Sequence, residues 1–349
     1  MMFFIDIFLA VGMVGTGGCF MRVQDQLLFL LEEKRGQYLS GEELADLLGV
    51  SRNAIWKAVK RLQEEGYPIN GTSGKGYFLR EDSDILSPQG INKYLGDLSS
   101  VFSIEVRKEV DSTNQILKDE KGMEGRVIVA ERQDAGKGRM GRTFYSPRGS
   151  GIYFSLLLRP KIQMQDAVLI TAAAAVAVCE AIEKVSGKDS KIKWVNDIYA
   201  DGRKVCGILT EAAMDLETGG LEYAVLGIGM NIKEPPEGFP EALKEIAGPL
   251  FQQDEYPVDI KNKLVAAVLT QFWTRYLELR KKKFLEGYRY RSMVTRTDIW
   301  IHRGDGSREK ANAVEIDDQC RLVVIKENGQ REALLSGEVS IRYREQEKE

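Results

Sequence analysis

Apolar residues recur at helical spacing from the start of the readable chain. Leu27, Leu28, Leu30 and Leu31 crowd one side of a first helix. Ser40, with Glu43 three residues later, forms a capping box that opens a helix through Leu44, Leu47 and Leu48. Gly49-Val50 makes a tight turn, Ser51 caps a second helix reaching about Glu65, and Gly66 stops it. In that second helix Ala54, Ile55, Ala58, Val59 and Leu62 point inward. Arg52, Asn53, Trp56, Lys57, Lys60 and Arg61 remain on the outer face. The pair reads as helix-turn-helix with its second helix offered to a DNA major groove. Tyr67–Gly71 and Gly74–Leu79 then predict a glycine-tipped hairpin, a wing with Lys75 near its tip. A protein-binding helical domain with solvated charges is the plainer alternative; capping box, turn, basic face and wing together favour DNA.

Residues 81–103 read as a connector. Beyond it come a strand at Ser103–Val110, a short helix from Ser112 and an apolar strand at Arg126–Glu131. A glycine-rich loop over Asp134–Gly151 leads to a strand at Ile152–Leu158. Gln165–Val185 is apolar nearly all round and predicts a buried helix. Strands at Val205–Glu211 and Tyr223–Ile228 and a helix over Ile260–Arg280 complete a mixed sheet with helices against one face, an α+β domain. From Ser292, five short strands (Asp298–His302, Ala311–Ile316, Leu322–Lys326, Arg331–Leu335, Val339–Arg342) alternate with polar turns and predict a small SH3-like β-barrel. The expected domains are therefore 21–82, 83–291 and 292–349.

Composition narrows the chemistry. The 349 residues carry 49 Lys and Arg against 52 Asp and Glu, so any DNA binding must come from a local basic face. Cys19, Cys179, Cys206 and Cys320 show no CxxC spacing, which argues against a zinc or disulfide framework and fits a reducing cytoplasm. With one histidine, His302, reactions that need no histidine base are favoured. Residues 1–20 are apolar and then glycine-rich, without the basic start of a secretory signal or the length of about twenty apolar residues that a span requires. They read as a spurious extension ahead of Met21, with a membrane anchor as the minor alternative.

Gly136-Lys137-Gly138-Arg139-Met140-Gly141-Arg142 matches the glycine pattern of a dinucleotide turn, but the following Thr143–Gly151 stretch with Pro147 cannot be the required helix. What remains is a glycine loop with three cations. It is suited to close backbone approach and to phosphate, or is simply a solvated surface loop. Lys193-Trp194-Val195-Asn196-Asp197 places Asn196 and Asp197 at the end of a strand beside a turn, able to hold Mg²⁺ or a nucleotide base. Lys204 opens the next strand among apolar neighbours, where an ammonium needs an anion unless it lies at a hairpin surface. Gly227-Ile228-Gly229-Met230-Asn231 ends a hydrophobic strand, and glycine there marks a bulge or a close contact. Asp111-Ser112-Thr113-Asn114-Gln115 starts a helix, where Asp111 or Ser112 could be a simple cap.

These pieces occur together and in order: Ser112-Thr113-Asn114, Gln133 ahead of GKGRMGR, Ser146-Pro147, KWVND, RKVCGIL and GIGMN. The ordered set resembles the biotin–protein ligases. With the winged helix and C-terminal barrel it resembles the bifunctional bacterial form, which is also the biotin operon repressor, over about residues 22–342. The resemblance implies a class II synthetase-like central domain. Ser112, Thr113, Gln133, Gly136, Lys137, Arg139, Tyr153, Lys204, Gly207 and Gly227 would bind biotin, and Arg139, Arg142, Phe144, Asn196, Asp197 and Asn231 would bind ATP. Lys204 and Arg139 would be catalytic and Asp197 would meet Mg²⁺. Ser51, Arg52, Asn53, Trp56, Lys57, Lys60 and Lys75 would touch DNA. The family usually has Arg at Lys137, Pro at Val195 and Trp at Phe144; none of these departures removes a charge the mechanism requires.

The implied chemistry suits the composition. Biotin's carboxylate needs no base to attack the α-phosphorus of ATP, and the obstacle is charge repulsion, which cations relieve. The resemblance further implies transfer of biotin to a lysine of the biotin carboxyl carrier protein of acetyl-CoA carboxylase, repression of biotin synthesis genes at an operator, and a homodimer when biotinyl-AMP is bound. It implies a cytoplasmic protein without membrane contact. A lipoate–protein ligase, or a ligand-sensing transcription factor without ligase activity, is the alternative.

Overall fold

Helices α1 (Val23–Glu33), α2 (Gly41–Leu48) and α3 (Arg52–Glu64) form where the apolar period places them. The computed structural model describes residues 22–252, 257–303, 305–335 and 337–341, so the reading of residues 1–20 and of Met21 lies outside the described residues. Ser40 Oγ accepts from Glu43 N at 3.0 Å, and Ser51 Oγ accepts from Ala54 N at 3.2 Å. Each such cap stabilises its helix by about 1 kcal/mol. Leu27, Leu31, Leu44, Ile55 and Leu62 fill the space between the helices. Hairpin β1 (Ile69–Thr72) and β2 (Gly76–Leu79) follows, and Leu39 exchanges main-chain bonds of 2.8 and 2.9 Å with Tyr77 beside it. Gly76 has φ +103°, and a Cβ there would overlap the Leu39 carbonyl, so only glycine fits.

The expected connector contains helix α4 (Pro88–Leu95), capped by Ser87 and packed on α1. The chain divides into two compact units. One is the chain to Phe102 together with Pro257–Ala266, and the other is Ser103–Tyr256 together with Ala267 onward. The expected boundary at 82/83 falls inside the first unit, where α4 buries Ile91 and Leu95, and the one at 291/292 falls inside the second. That unit also encloses charge. Arg35 reaches Glu32 at 2.6 Å, Ser83 O at 2.9 Å and Asp259 at 3.3 Å, and Tyr94 Oη donates to Asp259 at 2.7 Å. Burial pushes the Glu32 carboxyl above its ordinary value against the pull of Arg35, and Glu32 Oε1 has no hydrogen-bond partner among the described residues.

The second unit is built on a seven-stranded mixed sheet. In chain order its strands are β3 (Ser103–Arg107), β4 (Arg126–Ala130), β5 (Gly151–Leu158), β6 (Lys191–Lys193), β7 (Asp197–Ala200), β8 (Arg203–Met214) and β9 (Leu221–Asn231). In space they run β3-β4-β5-β9-β8-β7-β6, with β3 and β4 parallel and the other pairs antiparallel. The expectation of helices against one face is corrected. Leu117 of α5 (Thr113–Glu120) packs with Ile128, Leu157 and Val225 on one face. Thr171 of α6 (Val168–Ser186) bonds Thr210 at 2.8 Å, and Thr210 stands at alternate register to Val225. Two faces are needed because α6 is apolar all round: it is covered by the sheet on one side and by a later helix, Phe284–Arg291, on the other.

Helices α7 (Ile260–Leu277) and α8 (Phe284–Arg291) precede the last module. There β10 (Thr297–His302), β11 (Arg308–Ile316), β12 (Leu322–Lys326), β13 (Arg331–Leu334) and β14 (Glu338–Ile341) form an antiparallel sheet in the order β13-β12-β11-β10-β14. Ile299, Ile301, Ala313, Leu322, Val324 and Val339 are among its buried residues. Among the described residues, no helix is long and apolar enough to cross a membrane.

Candidate active site

The α5 face of the sheet carries a floor of bare backbone. Register aligns Tyr153, Gly229 and Gly207 in one row and Ser155, Gly227 and Leu209 in the next. The glycines are there because side chains from elsewhere use the space. A Cβ at Gly227 would overlap Asn114 Oδ1, one at Gly229 would overlap the Phe144 ring, and one at Gly207 would lie 2.8 Å from that ring. Glycine in these strands marks close contact, not a bulge.

A hydrogen-bonded cradle rises beside the floor. Gln133 Oε1 accepts from Thr113 N at 2.9 Å and Thr113 Oγ1 at 3.1 Å, while Gln133 Nε2 donates to Ser146 Oγ at 3.1 Å. Ser155 Oγ lies 2.6 Å from both Thr113 Oγ1 and Asn114 Oδ1. Asn114 Nδ2 donates to Glu211 at 2.8 Å and Lys118 donates at 2.7 Å. Burial opposes the charge on Glu211, but these donors outweigh it and hold the carboxyl below its usual value.

The cations converge on a turn. Arg139 Nη1 donates to Asn196 Oδ1 at 2.9 Å, Asn196 Nδ2 donates to Asp197 Oδ1 at 3.1 Å, and Lys204 Nζ stands 2.8 Å from the same oxygen. Backbone bonds from Gly138 N to Arg142 O (2.7 Å) and from Phe144 N to Gly136 O (2.8 Å) close the glycine loop on itself. The turn is fastened from behind. Trp194 Nε1 donates to Cys320 O at 2.9 Å, and Tyr288 Oη donates to Val195 O at 3.0 Å. Floor, cradle and turn line an open cavity of about 540 Å³.

Three family models match the chain: the HTH domain over residues 23–78, the biotin/lipoate A/B protein ligase family over 106–231, and the biotin protein ligase C terminal domain over 303–342. The bifunctional ligase/repressor BirA of Bacillus subtilis (strain 168) is 35% identical over 259 residues, covering 73% of this chain and 78% of that protein. The protein of the same name from Escherichia coli (strain K12) is 30% identical over 321 residues, covering 89% and 95%. The chain belongs to the bifunctional ligase/repressor family. Among solved structures, the biotin protein ligase from Aquifex aeolicus in complex with biotin and ATP matches with a TM-score of 0.57 at 26% identity, covering 69% of this chain and 98% of that one.

For this ligase/repressor, the structure gathers most of the expected residues around the one cavity. Ser112, Thr113, Gln133, Lys137, Arg139, Arg142, Phe144, Asn196, Asp197, Lys204, Gly207, Gly227 and Asn231 all line it. Tyr153 and Gly136 do not. Tyr153 is buried beneath the loop with its hydroxyl on Pro147 O at 3.0 Å, and burial raises its pKa, leaving a neutral donor that supports the loop. Gly136 lies where a Cβ would meet Phe144 O at 2.6 Å, so it allows the loop's closure. Lys137 lines the cavity but donates to Gln115 at 2.8 Å.

Sequence reasoning missed the Asn114–Ser155–Glu211 network and the wall formed by Phe239, Leu243, Ile246 and Ala247. That wall is held by Lys204 N to Ile246 O at 2.8 Å and Gly248 N to Lys204 O at 3.1 Å. It also missed His302 and Ser340, which bond at 2.8 Å and reach the cavity from the last module. In the other unit Ser51, Arg52, Asn53, Trp56, Lys57, Lys60 and Lys75 are all exposed.

Proposed function

We propose that the cavity binds biotin and ATP, forms biotinyl-5'-AMP with release of pyrophosphate, and passes biotin to a lysine of the biotin carboxyl carrier protein of acetyl-CoA carboxylase. The observation that carries this reading is the run Arg139–Asn196–Asp197–Lys204, hydrogen-bonded link by link within one cavity. Two cations held this way can cancel the repulsion between a carboxylate and an α-phosphate as they bond. The Thr113–Gln133 cradle offers donors and acceptors side by side, the complement of a ureido ring. Phe144, over the glycine floor, offers an aromatic face to adenine. Arg142 and Asn231 would serve the nucleotide. The mixed anhydride is open to hydrolysis, and the glycine loop, ordered over the bound intermediate, would keep water away. The acceptor amine then attacks the activated carbonyl carbon, and AMP leaves with the bridging oxygen.

Asp197 presents one carboxylate to the cavity, and among the described residues no group of three or more His, Cys, Asp or Glu gathers as a metal cage. That donor set suits Mg²⁺, which takes one or two carboxylates together with substrate phosphate oxygens. Magnesium there would supply neutralisation of phosphate charge. The other unit would bind operator DNA through α3 and the wing, repressing biotin synthesis genes as a homodimer that forms when biotinyl-AMP is bound, in the cytoplasm. By linkage, DNA must then tighten adenylate binding.

The test is to incubate purified protein with labelled biotin, ATP-Mg²⁺ and a biotin carrier domain, omitting each in turn. Labelling should require all of them. A chain that makes no pyrophosphate from biotin and ATP is not this ligase, and unchanged DNA affinity with and without biotin plus ATP would remove the ligand-controlled repressor.

A further inference from the structure

Of the four tryptophans, three have partners: Trp194 donates to Cys320 O, Trp273 packs on the Tyr276 ring, and Trp300 lies against Arg308 and Lys310. Trp56 differs. It is 49% exposed on α3 and makes no hydrogen bond or ring contact with any described residue. Neighbours three and four residues away flank a helical residue on its own face. Here they are Arg52, Asn53, Val59 and Lys60; Val59 is buried in the core, the other three are exposed, and exposed Lys57 stands beside them. The face of α3 is thus a large apolar plane with one N–H donor, fenced by cations and an amide. Cations spaced around an apolar centre complement a polyanion that has an apolar feature between its phosphates.

The major groove of DNA has that feature in the thymine 5-methyl group, and it admits an α-helix. The major groove of an RNA duplex is too narrow for side chains to read, and uracil lacks the methyl. We propose that Trp56 reads thymine, its indole packing on the 5-methyl while Arg52, Lys57 and Lys60 hold the flanking phosphates. The inference rests on the DNA-binding reading above and adds which base is recognised and by what chemistry. Burying an indole against the groove removes from water the apolar surface that the protein alone leaves wet.

The test uses the full chain with biotin and ATP-Mg²⁺, and a duplex enriched by it from a randomised pool. Each thymine of the enriched duplex is replaced in turn by deoxyuracil, which removes one methyl and nothing else. At the contacted position wild-type affinity should fall about fourfold, the ~0.8 kcal/mol of one buried carbon. The same replacement should leave the affinity of Trp56→Ala unchanged, because the partner of the methyl has gone. Trp56→Ala should keep the wild-type salt slope, since its phosphate-binding cations remain, and circular dichroism should show the helices intact. The proposal is overturned if no thymine-to-deoxyuracil change lowers wild-type affinity, or if wild type and Trp56→Ala lose equally. If the wild-type chain enriches no duplex at all, the DNA-binding reading itself falls and this one with it.

Discussion

Replacing Lys204 by Ala is the sharpest test of how the cavity works. The ammonium lies 2.8 Å from Asp197 Oδ1, with the two side chains 25% and 21% exposed. At an effective dielectric of about 20 two unit charges that close attract by ~6 kcal/mol, but desolvation and residual solvent offset most of this. Lost folding stability should therefore stay near ~1 kcal/mol. Catalysis responds differently. Without the ammonium, the Asp197 carboxylate faces two more anions, the biotin carboxylate and the α-phosphate, as they approach. Removing one preorganised electrostatic contact costs about 10²–10³ in kcat, or ~2.7–4 kcal/mol. Biotin-dependent exchange of labelled pyrophosphate into ATP measures this step before any acceptor is involved. Because the charge is needed most as the two anions bond, kcat and kcat/KM should fall together. A loss of less than about tenfold (~1.4 kcal/mol) in that exchange would refute the reasoning.

Other perturbations separate the parts of the molecule. Gly227→Ala drives a methyl into Asn114 Oδ1; it should destabilise the fold by about 1–3 kcal/mol and raise the biotin KM, and an unchanged biotin titration would count against the cradle. Gly76→Ala forces φ +103° on an L-residue and clashes with Leu39 O, so DNA binding should weaken while pyrophosphate exchange keeps its wild-type rate. Arg35→Met leaves Glu32 and Asp259 buried without their cation and should cost about 3–5 kcal/mol in urea unfolding. Burial raises the Glu32 pKa above 4.5. Its contribution to stability is then full below the unfolded carboxylate value and lost as pH rises through the folded one. Glu32→Gln should abolish that decline, and superimposable stability–pH curves for the two proteins would contradict it.

Legibility followed locality. The winged helix could be read because its signals lie within a few residues of each other: Ser40 and Ser51 at caps, Gly49 between helices, and Gly74 and Gly76 at the hairpin. Helix α4 carried an equally local signal in Ser87-Pro88, a cap followed by proline at the first helical position, and it went unread inside a supposed connector. Strand β7 was missed because four residues, Asp197–Ala200, are too short to show an alternation, and the strand expected to end at Asn196 and Asp197 is β6, which stops at Lys193. In the site, contiguous motifs were legible. The Asn114–Ser155–Glu211 network was not, since it joins a helix and two strands whose neighbourhood exists only after folding. Tyr153 shows the opposite case: its strand position gives the expected face, but its hydroxyl is taken by Pro147 O, its ring meets the Phe144 ring edge-on with centroids 6.3 Å apart, and it does not line the cavity.

The fastening of the Trp194–Asp197 turn has a practical side. Its two anchors, Tyr288 and the Cys320 carbonyl, come from the final quarter of the sequence, far from every catalytic motif. Anyone trimming the chain into a smaller labelling reagent would keep each recognisable motif and still lose the geometry that makes them useful. Lesions at positions that never meet a substrate should present as loss of enzyme activity.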